Sequence, residues 1–242
     1  SAPYVLGLLI DHLGNYPLIF GLLGLAPATA LVILHLPRFP RFAGTGAAAS
    51  GPRKATLQLL RDPVLLPILL VSTVFVLLWD IFAVMAPLHG KALRLSASDI
   101  GLMASTFSAA AFAIRLVLGP LARRWVPWRL LLVALLVAAA GLIGFGLSGS
   151  LWPLVFCAFV IGSGQGVGAP MSSTVMYEAA PPERVSEMNG LRISLGMFTH
   201  TVLPLTAGLL GTLVGMGWLL CASGCALAGV AWWYRRHWSA PA

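Results

Sequence analysis

The sequence predicts an all-α membrane protein, a polytopic bundle of helices, and three observations lead to that class. Seven stretches of roughly twenty residues are almost free of charge, the length a helix needs to cross a bilayer. Hydrophobic residues make up 59% of the 242-residue chain and charged residues only 9%, with a mean hydropathy of +0.92, whereas a soluble domain carries about 25% charged residues. The basic residues fall almost wholly in alternate connections between the apolar stretches. Hydrocarbon offers no water to bond the backbone, so single spans of this length must close their N–H and C=O groups as helices.

A net charge of +8 would suggest a nucleic-acid partner in a soluble protein. Here the arginines sit between apolar runs, where they set topology and meet anionic lipid headgroups, so nucleic acid is excluded as a partner. Cys157, Cys221 and Cys225 all lie inside apolar runs and read as small packing residues. Cys221 and Cys225 share a helical face, but no His, Asp or Glu accompanies them, so neither a metal site nor any cofactor is expected.

Residues 2–10 read as the tail of an apolar helix whose beginning lies upstream, and Asp11 to Pro17 as a turn. The first full helix runs over 18–36, with Pro27 as a kink. Residues 37–62 carry three prolines, a Gly/Ala/Ser stretch and five basic residues, the composition of a solvated linker. Its last part, KATLQLLRD, is suited to a short amphipathic helix on the membrane surface. Six further spans follow at 64–87, 99–121, 129–148, 152–178, 190–214 and 216–234, so close together that consecutive helices must be antiparallel.

Lys and Arg fix the orientation. Twelve lie on one side, from Arg38 in the linker through Arg123, Arg124, Arg129, Arg184 and Arg192 to Arg236; Lys91 and Arg94 lie on the other, and Arg115 within a span. That asymmetry places the linker and the C-terminus in the cytoplasm.

Several local patterns fit one frame. Gly119-Pro-Leu-Ala-Arg123-Arg124-Trp-Val126-Pro-Trp-Arg129 is similar to a G-x-x-x-D-R-x-G-R loop, with Arg123 at the acidic position and Val126 at the second glycine. Gly162-Ser-Gly164-Gln-Gly166-Val-Gly168-Ala-Pro170, then Glu178-Ala-Ala-Pro181-Pro182-Glu183-Arg184 and Asn189-Gly190-Leu-Arg192, resemble the tenth helix and following loop of the major facilitator superfamily. Gly7-Leu-Leu-Ile-Asp11-His-Leu-Gly14 with Phe20 resembles the fifth-to-sixth connection of the same family. The resemblance implies a six-helix C-terminal half of a twelve-helix transporter plus one preceding helix. Residues 1–36 would be the remnant of the N-terminal bundle, 37–62 the cytoplasmic central linker and 63–242 the C-terminal bundle, with the rest of the N-terminal half as the missing partner. It further implies secondary active transport of a small solute by alternating access in the inner membrane, with protons as the coupling ion and drug or metabolite efflux as the default guess. A lone half would not transport.

Ionisable groups inside a span are costly and mark functional sites by default. Asp80, sixteen residues after Val64 and thus about 24 Å along its helix, is the first candidate for cation or proton coupling; the bland alternative is a hydrated residue near the outer interface, or one paired with Lys91 or Arg94. His200 and Gln165 fall near mid-bilayer and, with Thr199, Thr201, Ser163 and Ser172, form either a polar patch on the pathway or groups bonded within the bundle. Arg115 falls near the cytoplasmic surface, where Glu178 is its expected partner in a gate network with Arg123, Arg124 and Arg192. Gly162, Gly164, Gly166 and Gly168 each cost roughly 1 kcal/mol against alanine in a helix, which close helix contact or, with Pro170, a bend would offset. No nucleophile and base stand at a recognisable spacing, so no catalytic residue is expected. The alternative to transport is a non-transporting polytopic protein, such as a membrane-embedded enzyme or a receptor-like one.

Overall fold

The computed structural model describes residues 65–181 and 184–237. The expected helix over 18–36 and the linker over 37–62 lie outside the described residues. Within them are six helices long and apolar enough to cross a membrane: α1 (Leu65–Ala92), α2 (Ala97–Arg124), α3 (Pro127–Leu147), α4 (Leu151–Ala179), α5 (Val185–Val214) and α6 (Met216–His237).

Their ends follow from local chemistry. α1 runs five residues past its expected end, through Pro87, because a proline removes one backbone donor without stopping an apolar helix held on its flanks. It stops where Arg94 takes φ +58°, and Leu95 N–H donates to Gly90 C=O and Arg94 N–H to Lys91 C=O, the paired bonds of a Schellman cap. Ser96 then caps α2: its hydroxyl accepts from Asp99 N–H at 3.1 Å, and Asp99 returns a carboxylate oxygen to Ser96 N–H at 3.2 Å. Pro127 opens α3 at a position that needs no N–H. Gly215, at φ +94°, makes the turn between α5 and α6. α5 begins five residues before its expected start, since Ser186, Glu187 and Asn189 interrupt the apolar run there and leave only Val185 and Met188 to mark it.

Helix α4 stands in the middle. Gly162 and Gly166 lie against the backbone of α2 at Phe107 and Ala111, Gly164 lies against α3, where a Cβ would meet the Ala134 carbonyl oxygen at 2.6 Å, and Gly168 lies against the Phe75 ring of α1. Each glycine thus admits a neighbour that a larger residue would exclude. On the far side of α3, Gly224 of α6 approaches Ala139 and Ile143 in the same way. The stacked rings of Phe82 and Phe107, with centroids 4.2 Å apart, and the edge contact of Phe82 with Phe145 fill the layer between α1, α2 and α3. α5 differs from the rest: its buried residues are Met188, Gly196 and Ala207, and it rests mainly on α1.

Because short connections reverse the chain each time, α1, α3 and α5 run parallel to one another. One face of the bundle carries Arg123, Arg124, Arg129, Arg184, Arg235 and Arg236, and the opposite face Lys91 and Arg94.

Candidate functional site

Asp80 lies fifteen residues beyond Leu65 on α1, and His200 fifteen residues beyond Val185 on α5. Both are therefore about 22 Å from the arginine-rich face, near the middle of their helices. The extra turn of α1 moves Asp80 from the expected outer third to the centre. At that shared depth His200 Nδ1 stands 2.9 Å from Asp80 Oδ1. The carboxylate is 3% exposed and the imidazole 49% exposed, so one partner is held inside the bundle while the other reaches its open side.

Thr199 adds a third group. Its hydroxyl lies 3.4 Å from Asp80 Oδ2 and 2.7 Å from Gly196 C=O, and its single proton serves one acceptor at a time. Gly196 itself brings the helices together, since a Cβ there would meet Val76 Cγ1 at 3.2 Å. Of the alternative partners for Asp80, Lys91 lies in the last turn of α1 and Arg94 just beyond it, and neither pairs with Asp80.

Of the residues singled out for the pathway, the structure brings together Asp80, Thr199 and His200. Gln165 goes elsewhere: its Nε2 donates to Phe75 C=O across the seam between α1 and α4 at 3.0 Å, and its Oε1 is buried without a partner. Ser172 accepts through its backbone carbonyl from Ser72 in the same seam. The hydroxyls of Ser163 and Thr201 turn back onto their own helices, at Phe159 and Met197.

The arginines expected at a gate are spread over the basic face. Arg115, Arg123, Arg124 and Glu178 are exposed, and among the described residues no ion pair joins any of them. Arg192 is separate from them. Its guanidinium donates to Ser173 Oγ at 2.7 Å, and Ser173 in turn donates to Ala169 C=O. Pro170 sits inside α4 between these contacts and the glycine run.

Two cavities flank α1. One, of about 230 Å³, opens between α1 and α5, with His200, Arg192 and Asn189 as its polar lining, Val76, Ile193 and Met197 as its apolar lining, and Gly196 at its floor. The other, of about 240 Å³, lies between α1 and α2 and is apolar, with Trp79, Phe82, Pro87, Ile100, Met103 and Phe107 around it. Gly196 and Val76 carry no signal in the sequence that would have marked them, and Asn189 stands in the sequence only as part of the Asn189-Gly190-Leu-Arg192 resemblance; all three join the cavity through the geometry. Among the described residues no three His, Cys, Asp or Glu side chains converge as a metal site would require.

A chemical capacity follows from this arrangement. A buried carboxylate and a half-exposed imidazole in contact can accept or release one proton at the open side, which changes the net charge of the pair by one.

Comparison with known sequences adds the family context. The model described as Major Facilitator Superfamily matches residues 1–152 and 78–238. Relatives include uncharacterized proteins of Mycobacterium bovis and Mycobacterium tuberculosis, 31% identical over 148 residues, a match that takes in 57% of this chain and 35% of each relative. The matched region is thus roughly a third of the length of those curated relatives.

Proposed function

The chain belongs to the major facilitator superfamily, a family of membrane transporters and not of enzymes, and from that premise we propose that it is the C-terminal half of a proton-coupled secondary transporter. Its solute would be small and would cross by alternating access between this six-helix bundle and an N-terminal half of the same protein. The basic face would be cytoplasmic, the side that an arginine excess favours, and the membrane the inner membrane of the cell.

The observation that carries the reading is the Asp80–His200 contact at mid-depth. Among the described residues Asp99, Glu178 and Glu187 sit in the first or last turns of their helices, and Asp80 is the acidic residue held away from any helix end. A carboxylate in that place is expensive unless it serves a pathway. Its partner belongs to α5, the helix with the fewest buried residues, so protonation acts on the seam best able to open. Arg115, Arg123, Arg124 and Glu178 would meet partners at the cytoplasmic mouth only when the two halves close there. Gly162 to Gly168 would keep α4 tightly seated, with Pro170 as its weak point.

The test is solute movement in liposomes containing the full-length protein under an imposed proton gradient. Uptake or efflux that follows the gradient and stops with a protonophore supports the reading. Solute movement indifferent to the gradient in wild type would sink the coupling assignment.

A further inference from the structure

Arg192 is the group that the proton pair leaves without a task. It lies seven residues beyond Val185, about 10 Å from the arginine-rich end of α5. A helix of 30 residues spans about 45 Å, against about 30 Å of hydrocarbon, so this level is just inside the apolar layer. An arginine so close to the surface would ordinarily extend its head into water. This one is held sideways, its Nη1 bonded to Ser173 Oγ, six residues from the end of α4 and thus at the same level. Among the described residues no carboxylate lies within ion-pair distance of it. A guanidinium has five N–H donors in a planar fork; one bond goes from Nη1 to the Ser173 hydroxyl, and Arg192 lines the cavity.

Asn189 lies almost one turn before Arg192 on the same cavity wall, and His200 two turns beyond it, with Gly196 between them contributing no side chain. Val76, Ile193 and Met197 supply the remaining lining. The cavity therefore offers one fixed cation and one amide at its basic end, an apolar middle, and at its far end His200, the exposed partner of Asp80.

Resting on the transport reading above, we propose that this cavity is the solute site and that the solute is an organic anion, a carboxylate with a small apolar body, whose acidic group is bound by Arg192 and Asn189. A carboxylate matches the fork in two parallel bonds and supplies the counter-charge that no described residue gives Arg192. Its apolar body would lie over Gly196 toward His200, so that anion and proton occupy opposite ends of one cavity. A lipid phosphate offers the same negative oxygens to the same fork, and the experiment separates the two sources.

The probes are benzoate and its neutral isostere benzamide, with purified full-length protein. Thermal stabilisation is read first in detergent, then in phosphatidylcholine discs with and without phosphatidylglycerol. Benzoate is expected to stabilise the protein and benzamide not, with Arg192→Gln weakening benzoate about tenfold or more. Arg192→Lys, which keeps the charge and so the fold, is expected to retain part of the affinity because a point charge cannot reproduce the fork. Equal responses to benzoate and benzamide, or benzoate affinity unchanged in both variants, overturn the proposal. So does an Arg192-dependent response to phosphatidylglycerol with none to benzoate, which would assign the fork to a lipid headgroup. Proton-driven movement of other solutes with benzoate inert would leave the transport reading standing and remove this one; Arg192-dependent benzoate binding without gradient-driven movement would do the reverse.

Discussion

Replacing Asp80 with Asn keeps the size and planar shape of the side chain and removes its charge, so it separates a structural role from a proton-carrying one. The structural consequence is small. The 2.9 Å contact with His200 changes from a charge-assisted hydrogen bond to a neutral one, a loss of about 1 kcal/mol. The amide still meets Thr199, and the surrounding core of Leu78, Ile81 and Phe82 is untouched. The energetic consequence for transport is larger. Asp80 is the acidic residue away from the helix ends among those described, and on the proposed reading its pair with His200 is the carrier of one proton. One proton moving down a gradient of one pH unit supplies about 1.4 kcal/mol, which sustains about a tenfold accumulation of a solute moved with it. An Asn at this position carries no proton itself and withdraws the counter-charge that holds one on the His200 imidazole, so the pair sustains no accumulation. The assay uses full-length protein in liposomes with the membrane potential clamped at zero, measuring solute accumulation under a one-unit pH gradient and, separately, exchange of labelled for unlabelled solute at equal pH. Wild type is expected to accumulate about tenfold, and Asp80→Asn to exchange solute while its internal and external concentrations stay about equal. Gradient-driven accumulation persisting in Asp80→Asn would refute the assignment of the proton to this pair.

Further substitutions test the geometry around it. Gly196→Val places a branched side chain where even a Cβ would stand 3.2 Å from Val76, so it should part α1 from α5 and reproduce the coupling loss of Asp80→Asn; unchanged coupling would show that the two helices need not touch there. Gly168→Ala drives a methyl into the Phe75 ring and should destabilise the bundle by about 1–3 kcal/mol, read as a lowered melting temperature, whereas Gly190→Ala, with open space around it, should change it by less than about 1 kcal/mol. Ser96→Ala removes one half of the capping box of α2 and should cost about 1 kcal/mol without altering solute specificity. Single cysteines at Val126 and Lys91 should react with impermeant reagents from opposite sides of the membrane, Val126→Cys from the cytoplasm; labelling of both from one side would overturn the parallel and antiparallel arrangement as well as the orientation.

The spans themselves were legible because hydropathy integrates over about twenty residues and tolerates local irregularities. Their ends were not, and that small error concealed the main feature of the site. With starts read at 64 and 190, Asp80 and His200 fall sixteen and ten residues along parallel helices, about 9 Å apart in depth, which gives no reason to join them. The true starts put both fifteen residues along. The first turn of α5 was lost to the reading because Ser186, Glu187 and Asn189 look like a loop in composition, and a helix that emerges from the apolar layer need not be apolar there. Gln165 illustrates a second gap. Depth alone grouped it with His200, but the direction in which a side chain points around α4 depends on which glycine meets which neighbour, and four alternate glycines leave no apolar stripe from which to read it.

The seams of α4 and the seam between α1 and α5 are built on different physics, and the difference bears on what each can do. Against α2 and α3, α4 is held by backbone in contact with backbone through Gly162, Gly164 and Gly166, an attraction made of many short dispersion contacts. Such a seam has no group that a proton can alter, and separating it forfeits all its contacts together. Between α1 and α5 Gly196 stands beside Val76, and the polar hold at mid-depth is a carboxylate, an imidazole and a hydroxyl. One proton changes the charge of that hold while leaving the apolar contacts as they were. Coupling requires an element whose position depends on the occupancy of the site, and α5 meets that requirement better than α4 does: it is lightly buried, it carries both His200 and Arg192, and its attachment to α1 runs through a titratable pair. If alternating access were instead driven by bending α4 at Pro170, a substitution such as Pro170→Ala should alter transport rates while Asp80→Asn left the gradient dependence intact, so the two variants measured side by side decide which helix carries the coupling.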